Sequence, residues 1–157
     1  MTNMQSTITA GWREWLALPE FNISEIEAKV DTGTETSVLH TSFIETFRKR
    51  GALWLRFGIH PLPDRSDIRM IGFAPVAERR LIKDAEGHSE ICFVVETEIC
   101  LGGHCQTIEL SLTEKDSDIF RMVLGRSALR ALNILVDSSK SYLFGQPEND
   151  SETLTTP

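Results

Sequence analysis

The sequence predicts a mainly β, single-domain protein with one or two short helices, and three observations point there. Apolar residues alternate with polar ones at Ile26, Ala28 and Val30, and again at Leu53, Leu55, Phe57 and Ile59, the period of strands with one buried face. Turn-forming segments, AEGH at 85–88 and LGGH at 101–104, separate further β-rich runs. At 157 residues and 41% hydrophobic content the chain can bury one real core, and it has no apolar run near the ~20 residues a bilayer crossing needs.

Residues 1–9 are polar and read as a frayed, disordered N-terminus, 10–146 as the folded domain, and the acidic 147–157 as a disordered tail. Trp12 and Trp15 belong to a first strand as core or dimer-edge residues, with a functional role for Arg13 as the alternative. A strand then runs to Val30 and into Asp31-Thr32-Gly33. Ser42 with Glu45 has capping-box spacing, Phe43 and Phe47 share a helical face, and basic residues precede Gly51, so the spacing predicts a helix over 42–50. Strands follow at 53–59, 68–73, 78–84, 89–100 and 105–112, a second short helix at 126–132, and strand-like pieces at 134–136 and 141–144.

The formal net charge of −7 argues against broad electrostatic attraction to nucleic acid or an anionic membrane, and leaves open a local basic patch. The N-terminus lacks the basic and apolar regions of a secretory signal, which predicts a cytoplasmic location. Three cysteines, Cys92, Cys100 and Cys105, fit reduced thiols better than a disulfide framework.

The segment AKVDTGTETSVLH at 28–40 carries the chemistry. An Asp flanked by Thr and Gly is often a turn former alone, its side chain capping nearby amides. Hydrolysis of an amide by carboxylates needs two of them close enough to share a proton, rigidly held, and a strand ending in Asp-Thr-Gly supplies such a mount. DTGTETSVLH at 31–40 resembles the active-site loop of retropepsin-type aspartic proteases, and Val123-Leu124-Gly125-Arg126 resembles their second signature. That likeness implies a closed β-barrel, Asp31, Thr32 and Gly33 as the catalytic loop, Gly125 and Arg126 as its support, and pairing of Arg126 with Glu35.

The order of segments is more closely similar to the bacterial family labelled ATP-dependent zinc proteases, the RimB type linked to ribosomal modification. The matching pieces are GWREW at 11–15, LP at 18–19, HP at 60–61, EGHSE at 86–90, LGG at 101–103, LSLTEKD at 110–116, and VLGRSAL with VDSSKSYL. The resemblance implies a homodimeric aspartic peptidase, some members acting on glutamate chains added by an ATP-grasp ligase. Thr34, Glu114-Lys115 and Cys92 depart from the family pattern of Ala, Asn-Arg and Arg.

One Asp-Thr-Gly occurs in the chain, so a catalytic site requires a second copy and an isologous dimer in which each Thr32 braces the opposite loop. The segment 78–90 is placed as a hairpin flap turning near Ala85, Glu86 and Gly87, with Arg79, Arg80 and Lys83 suited to an anionic, glutamate-rich substrate, or else as a charged edge strand. Glu35 and His40 complete the candidate substrate-binding set, His40 with a structural alternative. No HExxH and no P-loop occurs, so the reading names no metal and no cofactor; Cys100, His104 and Cys105 form the one weak metal candidate. The alternatives are a non-catalytic module that reads acidic tails and a metal-dependent peptidase.

Overall fold

In the computed structural model the described residues are 6–83, 86–115 and 119–146. Within them, strands β1 (Ile8–Ala10), β2 (Arg13–Leu18), β3 (Ile23–Val30), β4 (Ser37–Thr41), β5 (Phe43–Lys49) and β6 (Ala52–Ile59) are followed by β7 (Met70–Pro75), β8 (Glu78–Lys83), β9 (Ser89–Leu101) and β10 (His104–Glu114). After β11 (Met122–Leu124) come helix α1 (Arg126–Ala131) and β12 (Ile134–Val136). The first strand begins at Ile8, inside the stretch whose polarity suggests fraying, because Ile8–Ala10 pairs in parallel with Ile134–Val136.

Six strands close on themselves in the order β10-β4-β11-β3-β2-β9, and β9 pairs back to β10 to complete a barrel. Strand β8 extends the sheet outward from β9, and β5-β6-β7 form a separate antiparallel sheet. The alternation read from sequence is what fills the barrel: Leu16 and Leu18 of β2, Ile26 and Ala28 of β3, Val95 and Ile99 of β9, and Leu110 of β10 are fully buried. Each such Leu or Ile contributes about 1.5–3 kcal/mol relative to an exposed side chain.

The expected helix at 42–50 is instead strand β5, which pairs with β6 along its whole length from Phe43↔Gly58 to Lys49↔Ala52. Ser42 donates its amide to the Gly58 carbonyl, and Glu45 reaches across to Arg56 at 2.8 Å rather than back to a helix cap. Arg50 and Gly51, at φ 53° and 82°, make the two-residue turn whose positive φ values match a right-twisted hairpin. Tertiary pairing thus overrides a local helix signal. The helix predicted at 126–132 is present as α1.

The expected strand at 141–144 is also absent: these residues form an irregular strap held by Glu14. Glu14 occupies an inward position of β2 and is fully buried, and its carboxylate accepts hydrogen bonds from the amides of Gly11 (2.7 Å), Leu143 (3.0 Å) and Phe144 (3.4 Å). A buried carboxylate is stable there because backbone donors replace its lost water. The cysteines likewise correct the sequence reading. Cys100 and Cys105 face each other across the β9–β10 hairpin and form a disulfide, leaving Cys92 as the free thiol. A cross-strand pair is a relation of the folded hairpin, invisible to a count of cysteines.

Candidate active site

Strand β3 delivers Asp31 to the end of the barrel, and the next residues turn back at once. The Asp31 amide donates to the Leu124 carbonyl of β11, and the Thr34 amide donates to the Asp31 carbonyl. Both carboxylate oxygens are fixed from within the turn: Oδ1 accepts from the Gly33 amide at 2.8 Å and Oδ2 from the Thr34 hydroxyl at 2.9 Å. A Cβ at position 33 would stand 3.2 Å from Oδ1, so glycine is what lets this amide come close.

The β11–α1 segment braces the loop from below. Arg126 and Ser127 donate their amides to the carbonyls of Thr34 (2.7 Å) and Glu35 (3.0 Å). A side chain at Gly125 would meet those same carbonyls at 2.8 and 2.9 Å, which explains the glycine ahead of the arginine. The Gly125 amide in turn donates to the hydroxyl of buried Ser37 at 2.9 Å. The Arg126 guanidinium donates to the Thr32 carbonyl at 2.8 Å and pairs with Glu35 at 3.3 Å, the pairing the family likeness implies. Glu35 has a tighter partner in Arg130, at 2.6 Å, which the sequence reading missed. Arg130 is four residues after Arg126 on one helix, so the i, i+4 spacing was the available signal. The Arg130 hydrogen bond, with both guanidinium charges, holds the Glu35 carboxyl below its ordinary range.

Asp31, Gly33 and Thr34 open onto a cavity of about 630 Å³. Val38 and Val123, paired across β4 and β11, line it with His40, whose Nδ1 lies 2.8 Å from the Thr113 hydroxyl. Ile82, Lys83, His88, Ser89, Glu90 and Cys92 of the β8–β9 hairpin form another wall, and Thr113, Glu114 and Lys115 a third. Strands β8 and β9 pair up to Lys83↔Ser89, so 78–90 is a hairpin in which β8 is the edge strand of its sheet; Gly87 has φ 88°, and Ala85 of the expected turn lies outside the described residues. Burial and the neighbouring Glu90 push the Cys92 thiol up to about 11, so it stays protonated at neutral pH.

The other candidate cations sit apart from this cavity. Arg80 is held by Glu109 through two contacts of 2.9 and 3.0 Å and by Glu78 at 2.9 Å, which raise its already high pKa, and it also donates to the Thr36 hydroxyl. Arg79 lies over the Phe93 ring, 5.3 Å from its centroid. Thr32 is exposed, and Glu35 is engaged with α1 rather than the cavity. Among the described residues no group of three or more His, Cys, Asp or Glu is arranged to hold a metal ion, and the thiols of the Cys100, His104 and Cys105 cluster are joined to each other.

A closed six-strand barrel that presents an Asp-Thr-Gly turn to a cavity walled by a β-hairpin is the architecture of the retropepsin-like aspartic endopeptidases. A family model described as "Retropepsin-like aspartic endopeptidase RimB" matches residues 9–147, and the chain belongs to this RimB-like family. It is 39% identical over 142 residues to a protein of Shewanella halifaxensis named probable alpha-L-glutamate ligase, covering 90% of this chain and 31% of that protein. A Parasynechococcus marenigrum protein of the same name is 35% identical over 147 residues, covering 94% and 31%. The chain thus spans about 30% of the length of the curated relatives it matches. The solved structure of the Legionella pneumophila protein Lpg0085, of unknown function, superposes with a TM-score of 0.74 at 25% identity, covering 88% of this chain and 99% of that one.

Proposed function

We propose that the protein is an aspartic endopeptidase that works as a homodimer, with Asp31 of each copy forming the catalytic pair. The observation that carries this reading is the fixed Asp31 carboxylate at the cavity wall, held by Gly33 and Thr34 and braced by Gly125 and Arg126. A single carboxylate cannot share a proton, so a twofold axis beside Asp31 supplies the second. At proton-sharing distance the pair cannot both ionise. The ionised one then takes a proton from water while the protonated one donates to the scissile carbonyl oxygen. The exposed Thr32 side chain would meet the partner loop across the axis.

The substrate is a glutamate-rich peptide or tail. The ligase names of the relatives support this, since an enzyme that removes glutamates would act on the product of one that adds them. Lys83 and Lys115 on the cavity wall supply the cationic contacts, a role in which Lys115 replaces Arg79 and Arg80 of the sequence reading. The test is cleavage of a protein carrying an oligoglutamate tail by wild type and Asp31→Asn, each with and without chelator. The dyad predicts a loss on the order of 10²–10⁴-fold in the variant and none with chelator. Loss with chelator alone would favour a metal peptidase, and binding of the tail with no cleavage by wild type would favour a binding module.

A further inference from the structure

The outer face of the β5-β6-β7 sheet has a composition unlike the rest of the molecule. Its register puts Phe47, Trp54 and Pro75 in one row and Glu45, Arg56 and Phe73 in the next, all on the side opposite buried Leu55 and Phe57. Phe47 lies 6.3 Å from Trp54 and 6.2 Å from Phe73, centroid to centroid, so three rings adjoin on one surface. Phe73 is 51% exposed. Phe43 sits one row beyond, with the guanidinium groups of Arg56 and Arg69 within 5.1 and 5.5 Å of its centroid, and the Lys49 ammonium lies 4.6 Å from that of Trp54. Residues 43–75 hold six of the chain's sixteen Lys and Arg but three of its twenty-three Asp and Glu, a local +3 in a chain of −7.

We infer that this face binds single-stranded RNA. The exposed Phe73 ring offers a base a stacking position beside Phe47 and Trp54, and the cations that lie over Trp54 and Phe43 can turn to phosphates and leave those rings to further bases, the combination of aromatic and basic side chains by which sheet surfaces hold single strands. A duplex hides its base faces and has no use for the rings. A purely apolar partner would not account for the basic residues clustered at the hairpin end, Arg48, Lys49 and Arg50. Glu45, beside Arg56, repels phosphate but can accept a hydrogen bond from a ribose 2′-hydroxyl, which DNA lacks. The net charge of the whole chain opposes this binding at long range, so affinity rests on contact and not on steering.

The test is fluorescence anisotropy of a labelled ten-nucleotide uridine-rich RNA, with DNA of the same sequence, an RNA duplex and an oligoglutamate peptide as comparisons. Wild type should bind the RNA with Kd on the order of 1–100 µM at low salt, weakening with salt as phosphate contacts require. Phe73→Ala should weaken binding roughly tenfold. A double change, Lys49→Glu with Arg50→Glu, should flatten the salt dependence. Both sites are at the surface, and unchanged circular dichroism and melting would establish that the variants are folded. Equal binding of duplex or DNA, no effect of Phe73→Ala in a folded variant, or capture of the acidic peptide on this face instead would each overturn the inference.

Discussion

Asp31 takes both of its hydrogen-bond donors from within three residues of itself: the Gly33 amide belongs to the tripeptide read from sequence, whereas the hydroxyl of Thr34, read there only as a departure from the family pattern, is a donor the folded turn reveals. The pairing of Arg126 with Glu35 was legible by likeness, whereas Arg130 and Ser37 act through folded proximity, 95 and 88 residues from their partners in sequence. The Arg130 contact has a consequence for acid stability. The folded-state pKa of Glu35 lies below its ordinary 4.5, so the brace contributes stability above that pH and loses it as the pH falls through the lowered value. Arg130→Ala should therefore lower the melting temperature at pH 7, and the difference from wild type should shrink as the pH is taken down below 4.5 and Glu35 becomes protonated. A loss that stays the same across that pH range would reject the ion pair as the cause. At the cavity, Lys83→Ala and Lys115→Ala should each raise KM for glutamate-rich peptides roughly tenfold while leaving neutral peptides alone. Arg80→Ala, which strips Glu109 and Glu78 of their partner, should alter melting without that selectivity.

Strands with one buried face announced themselves through their period, and β3, β6, β9 and β10 fall close to where alternation places them. The misreading of β5 has a definite physical source. Ser-x-x-Glu and a basic end are helix signals over a single turn, while the seven pairs to β6 and the Arg50-Gly51 turn are worth more once the chain has folded back. The 141–144 strap failed for a related reason, since its order comes from a carboxylate 129 residues away. The β9–β10 hairpin yields a further prediction. Its disulfide closes a loop of a few residues, for which chain entropy gives about 2 kcal/mol. Cys100→Ser with Cys105→Ser should thus cost roughly that much in denaturant unfolding and leave cleavage intact, because neither residue lines the cavity. A loss of activity in the folded variant would tie the hairpin to the site in a way its position does not suggest.

Closure of the barrel depends on parallel pairings of β3 with β11 and of β4 with β10, which join segments far apart in the chain and leave no local trace. Those same pairings put the Asp31 turn on top of Gly125, so the site exists because the barrel closes. One copy still offers one such carboxylate, and the chemistry asks for two. The number of copies per site can be read from mixing. If wild type and Asp31→Asn exchange subunits freely in equal amounts, about a quarter of the dimers keep two Asp31 side chains. Activity per total protein should then fall to about a quarter of the wild-type value, tracking the square of the wild-type fraction. A monomeric enzyme would retain about half, in direct proportion to that fraction, and would refute the shared pair. Analytical ultracentrifugation across the same concentrations provides the control, because a square-law loss demands that the active species sediment as a dimer.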